Sequence, residues 1–209
     1  MKRGPFLGIL IAVAILFVVW LRHEPSWDIK NDPPSGTNII ALGDSLTQLP
    51  PGIGERTYPE ILSDMIGKPI INAGVSGNTT AQVLQRLERD VLARDPKIVL
   101  VLIGGNDFLK ERRPIDDIIG SIREIILQIQ GKGAMVVLVG LEVPTPLGGF
   151  GGNKFRDLAA ETGAVYVPTI MKGILDNPGL RLDPIHPNTA GAKIMAERIE
   201  ERAGEYLRR

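Results

Sequence analysis

Asn38-Ile39-Ile40-Ala41-Leu42, running directly into Gly43-Asp44-Ser45-Leu46, is the stretch whose reading decides the fold. Its first five residues are an apolar run too short for a helix and bounded by a turn signal, the pattern of a strand covered on both faces. The tetrapeptide that follows brings a serine to a sharp strand-to-helix bend, where Gly43 relieves crowding. A serine so placed lifts its hydroxyl above the sheet edge, which is the logic of a nucleophile elbow. Taken alone, the same four residues also describe a turn whose Asp and Ser bond their own backbone.

Four more short Val- and Ile-rich runs lie downstream, at 69–72, 97–103, 134–139 and 164–167. Helical stretches separate them. The clearest is 114–130, where Ile115, Ile118, Ile119, Ile122, Ile125, Ile126 and Ile129 recur at three-and-four spacing. Pro114 opens it, Asp116 and Asp117 occupy its first turn, and Gly131 follows its end. The segment 79–92 repeats the pattern with Val83, Leu84, Leu87 and Val91, and Asn188 caps a last helix that turns Met195, Ile199 and Tyr206 inward. Five such strands joined by right-handed helical crossovers predict an α/β fold: a three-layer α/β/α sandwich on a five-stranded parallel sheet, with the flavodoxin-like order 2-1-3-4-5. Ligands of such sheets bind beyond the carboxyl ends of the strands, so chemistry is sought in the loops that follow them.

After the second strand, Asn72-Ala73-Gly74-Val75-Ser76-Gly77-Asn78-Thr79 leads into a helix start whose free NH groups can hold a negative oxygen. After the third, Gly104-Gly105-Asn106-Asp107 sets a carboxamide donor at the same edge. Near the end, Asp183-Pro184-Ile185-His186-Pro187 puts a carboxylate three residues before the domain's one histidine. Asp183 can hold one ring nitrogen of His186 while the other takes a proton from a serine. Each loop by itself also reads as a cap or a glycine-rich turn.

Together Gly43-Asp44-Ser45-Leu46, Gly77, Gly104-Gly105-Asn106-Asp107 and Asp183-x-x-His186 resemble the four sequence blocks of the GDSL lipases and esterases, the SGNH hydrolase superfamily. The branch of small bacterial arylesterases and thioesterase/lysophospholipases is the most similar, and the Tyr58-Pro59 pair agrees with it. The resemblance spans residues 37–209. It implies that Ser45 is the nucleophile, that the backbone NH groups of Ser45 and Gly77 and the Asn106 amide form the oxyanion hole, that His186 is the base and that Asp183 orients it. No metal and no organic cofactor is implied.

Composition narrows the alternatives. The 209 residues hold no cysteine, which removes thiolate metal sites and cysteine nucleophiles, and only two histidines, His23 and His186. Basic and acidic residues both number 24, without the basic excess of a nucleic-acid binder. Between Arg3 and Arg22 lie 18 uncharged, mostly aliphatic residues, 4–21. As a helix they would run roughly 27 Å, close to a bilayer core of about 30 Å. With no small-x-small cleavage site after the run, residues 1–22 are read as a membrane anchor, with Trp20 and Arg22 at the interface and Lys2 and Arg3 on the cytoplasmic side. That arrangement places the catalytic domain outside the cytoplasm. The segment 23–36, with Pro25, Pro33 and Pro34, reads as a tether, and 37–209 as the hydrolase domain.

The expected activity is hydrolysis of small acyl esters or thioesters, including lipid-derived ones. O-acetyl removal from envelope polysaccharide and a non-catalytic binding module on the same scaffold are the alternatives. The pocket walls are expected from 49–57, 108–114 and 143–153, with Leu49, Phe108, Leu109, Leu147 and Phe150 as candidates to receive an acyl chain. Lys110, Arg112 and Arg113 stand either as a solvated face or as contacts to a phosphate head group.

Overall fold

The computed structural model describes residues 27–49, 55–141 and 151–209. Five parallel strands, β1 (Asn38–Gly43), β2 (Ile70–Gly74), β3 (Pro96–Leu102), β4 (Met135–Val139) and β5 (Val165–Val167), lie in the order β2-β1-β3-β4-β5. This is the topology expected from the sequence. The three inner strands are buried on both faces, which is why they read as unbroken apolar runs. Ile39 of β1 pairs with Ile70 on one side and Ile98 on the other.

Helices cover both faces. Those of α1 (Tyr58–Ile66) and α6 (Thr189–Arg208) pack together, and α2 (Thr80–Asp90) and α5 (Lys154–Thr162) flank α4 (Ile115–Gly131); a short α3 (Gly105–Leu109) follows β3. The α4 isoleucines Ile118, Ile122, Ile125, Ile126 and Ile129 are fully buried. Each such side chain contributes roughly 1.5–3 kcal/mol of transfer free energy. Three helices, α1, α3 and α5, were not foreseen. They have nine, five and nine residues, too short for a period to stand out, although Thr57 and Glu60 form a capping box ahead of α1.

The tether reading of 23–36 is corrected from Trp27 onward. Residues 27–37 are fixed to the domain and cross beneath the sheet along the edge where the strands begin. Trp27 Nε1 donates to Ala164 O (2.8 Å), Lys30 N to Gly163 O (2.8 Å), Ser35 N to Gly133 O (3.0 Å) and Thr37 N to Asp95 O (3.1 Å). Asn31 Nδ2 bridges Gln130 O (2.9 Å) and Ala134 O (2.8 Å). The physical reason is that helices ending at this edge leave main-chain carbonyls free, and the strap satisfies them. Residues 1–26, including the expected anchor, lie outside the described residues; among those described, no helix is long and apolar enough to cross a membrane.

Candidate active site

At the carboxyl edge β1 ends on Gly43. A Cβ there would stand 2.1 Å from Thr47 Oγ1 and 2.5 Å from Leu102 O, so only glycine lets the next turn fold back this closely. Thr47 N (3.1 Å) and Gln48 N (2.9 Å) donate to Asp44 O, and Leu46 N donates to Asp44 Oδ1 (3.0 Å). Ser45 is left at the tip of the bend.

Asp183 closes a tight turn by accepting the amides of Ile185 (2.8 Å) and His186 (2.9 Å) on Oδ1, which leaves Oδ2 for His186 Nδ1 at 2.7 Å. His186 Nε2 lies 2.9 Å from Ser45 Oγ. Leu182 N to His186 O (2.8 Å) and Asn188 N to Leu180 O (3.0 Å) brace the loop, and Asn188 caps α6 by accepting Gly191 N (3.0 Å). Burial opposes ionisation of Asp183, but the hydrogen bond with the His186 ring and those from the two amides outweigh it and hold the carboxyl below its usual range.

The donors arrive from two other strand ends. Asn106 Nδ2 donates to Asn78 O (3.0 Å) and to Asp44 Oδ2 (3.2 Å). Gly77 adopts φ +83°, a conformation natural to glycine, and among the described residues nothing accepts the NH of Gly77 or of Ser45. Ser45, Gly77 and Asn106 thus lie in the segments that follow β1, β2 and β3. Asp44 is almost fully buried, and that burial raises its carboxyl to about 6 against the opposing pull of the Leu46 amide, His186 and Lys110.

Three residues to which the sequence reading gave no role support this edge. Arg86, on the buried face of α2, donates from Nε to Asn78 Oδ1 (2.7 Å), from Nη1 to Ala73 O (2.8 Å) and from Nη2 to Gly43 O (3.0 Å). One guanidinium therefore ties the ends of β1 and β2 to the loop carrying Gly77. Asp90 balances it at 3.1 Å, and hydrogen bonds from Arg89 and Arg86 hold the Asp90 carboxyl down to about 2 against burial. The signal was legible: a charged pair four residues apart on the apolar face of a helix. Asp107, fully buried, accepts Thr80 N (2.9 Å), Thr80 Oγ1 (2.5 Å) and Arg113 Nη1 (2.6 Å). Arg113 is thereby engaged within the fold, not offered to a head group. Glu55 Oε2 accepts Thr189 N (2.6 Å) and the Thr189 hydroxyl, fastening the segment ahead of α1 to the start of α6.

A cleft of about 150 Å³ opens over Ser45 and His186, with Leu46, Leu109, Leu141, Met171, Leu175 and Ile185 as its apolar walls. Of the expected wall residues Leu109 is here, whereas Leu49 is buried and Phe108 packs against the core. Leu147 and Phe150 lie outside the described residues. Met171 and Leu175, from the turns after β5, were not foreseen. A larger hollow of about 480 Å³ between the strap and the end of α5 contains neither serine nor histidine. Among the described residues no group of three His, Asp or Glu side chains is gathered as a metal site.

The model of the GDSL-like lipase/acylhydrolase family matches residues 41–194. The chain is 28% identical over 182 residues to an arylesterase of Vibrio mimicus, covering 81% of this chain and 89% of that one. It is 27% identical over 205 residues to an acetylxylan esterase of Geobacillus stearothermophilus, covering 84% and 89%. To thioesterase 1/protease 1/lysophospholipase L1 of Escherichia coli K12 it is 28% identical over 166 residues, covering 76% and 79%. Among solved structures, a psychrotrophic esterase, EstA, from Pseudoalteromonas sp. superposes with a TM-score of 0.72 at 23% identity, covering 82% of this chain and 99% of that one.

Proposed function

The chain belongs to the GDSL-like lipase/acylhydrolase family and is a carboxylic ester hydrolase; from that premise we propose that it works through a Ser45-His186-Asp183 triad and an acyl-enzyme intermediate. The carrying observation is the unbroken relay from Asp183 Oδ2 through His186 (2.7 Å) to Ser45 Oγ (2.9 Å). Serine is a weak nucleophile until a base takes its proton. In the proposed reaction His186 Nε2 receives the Ser45 proton as Oγ bonds to the acyl carbonyl carbon, and Asp183 steadies the imidazolium. The carbonyl oxygen, now negative, is met by the NH groups of Ser45 and Gly77 and by Asn106 Nδ2, which releases its longer bond to Asp44 to do so. His186 then protonates the leaving alcohol or thiol, and water repeats the sequence on the acyl-enzyme.

The small apolar cleft supports a short acyl group, and with it a second reading, removal of O-acetyl groups from envelope polysaccharide. Residues 1–22 anchor the domain to a membrane on its extracytoplasmic side in this proposal; the support is the uninterrupted apolar run 4–21. A fluorophosphonate probe is expected to label Ser45, and Ser45→Ala to abolish both labelling and turnover of an aryl ester. A folded wild type that stays unlabelled sinks the triad. Rates across a series from acetyl to palmitoyl esters, alongside acetylated glycans, separate the two substrate readings.

A further inference from the structure

The chain enters its domain and performs its chemistry at opposite edges of one sheet. Trp27 and Asn31 are held at Ala164 and Ala134, immediately ahead of β5 and β4, and Thr37 at Asp95, immediately ahead of β3. Ser45, Asn106 and His186 stand beyond the far ends of the strands. Six residues of β1 separate the edges, roughly 20 Å at about 3.3 Å per residue. Upstream of Trp27 only residues 22–26 intervene before the apolar run 4–21. Five residues at full extension reach at most about 18 Å.

Exposed side chains at the entry edge carry both signs. Arg94, Arg208 and Arg209 are paired with Asp90 (3.8 Å), Glu200 and Asp32 (3.1 Å). The orientation is therefore set by where the chain enters and by how short the connection is, not by a charged patch.

We propose that the amino-terminal edge of the sheet is the membrane-facing side of the domain, and that the catalytic cleft opens away from the bilayer into the aqueous phase. This deepens the proposed function and rests on its reading of residues 4–21 as an anchor. A folded unit of about 174 residues is roughly 40 Å across. A tether of about 18 Å, fixed at one edge, cannot swing the opposite edge round to the head groups. An acyl chain seated in the same bilayer must therefore leave it before meeting Ser45. An ester on a soluble molecule, or on a polymer outside the membrane, reaches the cleft directly. Leu109 and Ile185, exposed at the mouth, then contact the acyl part of substrate and not lipid. The substrate class is water-accessible acyl esters.

The absence of cysteine makes the test direct, because each introduced cysteine is unique. The full chain with Lys132→Cys at the entry edge, or with Glu111→Cys beyond β3, carries one fluorophore and is reconstituted into phosphatidylcholine–phosphatidylglycerol vesicles bearing nitroxide head groups. Quenching at 132 is expected to exceed that at 111 several-fold, and Arg94→Cys repeats the entry position should the turn at 132 be disturbed. Equal or stronger quenching at 111 overturns the orientation. Chain that fails to float with the vesicles overturns the anchor and the orientation with it. Fluorophosphonate labelling of Ser45 in the same samples reads the esterase proposal separately: labelled Ser45 with a quenched 111 position sinks the orientation alone, and unlabelled Ser45 with a quenched 132 position sinks the esterase alone.

Discussion

The two edges of the sheet are built by different means. At the amino edge the strap is held almost wholly to main-chain carbonyls, and glycine makes the approach possible: a Cβ on Gly133 would lie 2.0 Å from Ser35 Oγ, and one on Gly163 2.8 Å from Asp28 O. At the carboxyl edge the working contacts are between side chains, and the pair that matters most, Ser45 and His186, is 141 residues apart in sequence. Buried charge collects at that second edge, in Asp44, Asp107 and Arg86. Main-chain contacts fix the chain's path whatever the pH. Side-chain contacts move protons, and they carry the cost of burying the groups that do so.

The contrast predicts that damage at the carboxyl edge shows in rate and damage at the amino edge in stability. The largest effect is expected from His186→Ala, about 10⁴ to 10⁶ in kcat/KM with the unfolding midpoint little changed. Steady-state kinetics beside thermal melts decide it, and a variant keeping a tenth of wild-type activity would make another group the base. Next comes Asn106→Ala. Losing one oxyanion donor costs about 10² to 10³ in kcat, or roughly 3–4 kcal/mol of transition-state stabilisation. Unchanged kcat would remove Asn106 from the reaction and leave its bonds to Asn78 and Asp44 as structural ones.

How much of this was legible follows from the same difference. Strands buried on both faces announce themselves as apolar runs, so Ile98 through Leu102 and Met135 through Val139 were readable, and strand order followed from the handedness of crossovers. The candidate residues were readable from their settings: Ser45 and Asn106 closely follow the ends of β1 and β3, and Asp183 and His186 share a distinctive turn just ahead of α6. The strap was not, because its acceptors are main-chain carbonyls that no side-chain pattern marks. Arg86 left a readable mark, a charge paired with Asp90 four residues on along the apolar face of α2, but its main-chain partners Ala73 and Gly43 carry no such mark. The cleft walls were the least legible part, since an apolar residue in a loop such as Phe108 serves core and pocket alike until packing assigns it.

Asp44 lets the carboxyl edge be probed through pH. In the fold its carboxyl takes up a proton near 6, against about 3.9 in an unfolded chain. The folded state therefore binds that proton more tightly, and the stability so gained is fully present below about pH 3.9 and lost as pH climbs through about 6. A shift of about two pH units corresponds to about 3 kcal/mol. Asp44→Asn has no such slope, so its unfolding free energy, measured against wild type in urea, should improve by about 2 kcal/mol between pH 4 and pH 7. Parallel pH profiles would mean that the Asp44 carboxyl is not driven by burial.

The smallest effect, and the sharpest test of the separation, belongs to Asn31 in the strap. It holds φ +60°, a left-handed conformation that asparagine tolerates better than alanine, while its amide bridges Gln130 O and Ala134 O. Asn31→Ala loses both bonds and adds backbone strain, an expected cost of about 2 kcal/mol. Asn31→Gly loses the bonds alone and should cost about 1 kcal/mol, since glycine adopts that φ freely. At roughly 2–4 °C per kcal/mol for a chain of this size, thermal melts resolve the two. Both variants should keep kcat within about a factor of two, because the strap's contacts stop at the strands' first residues and the chemistry begins past their last. A tenfold fall in kcat from either would mean that strain at the amino edge is transmitted along the strands to Ser45, and the two edges would then have to be treated as one mechanical unit.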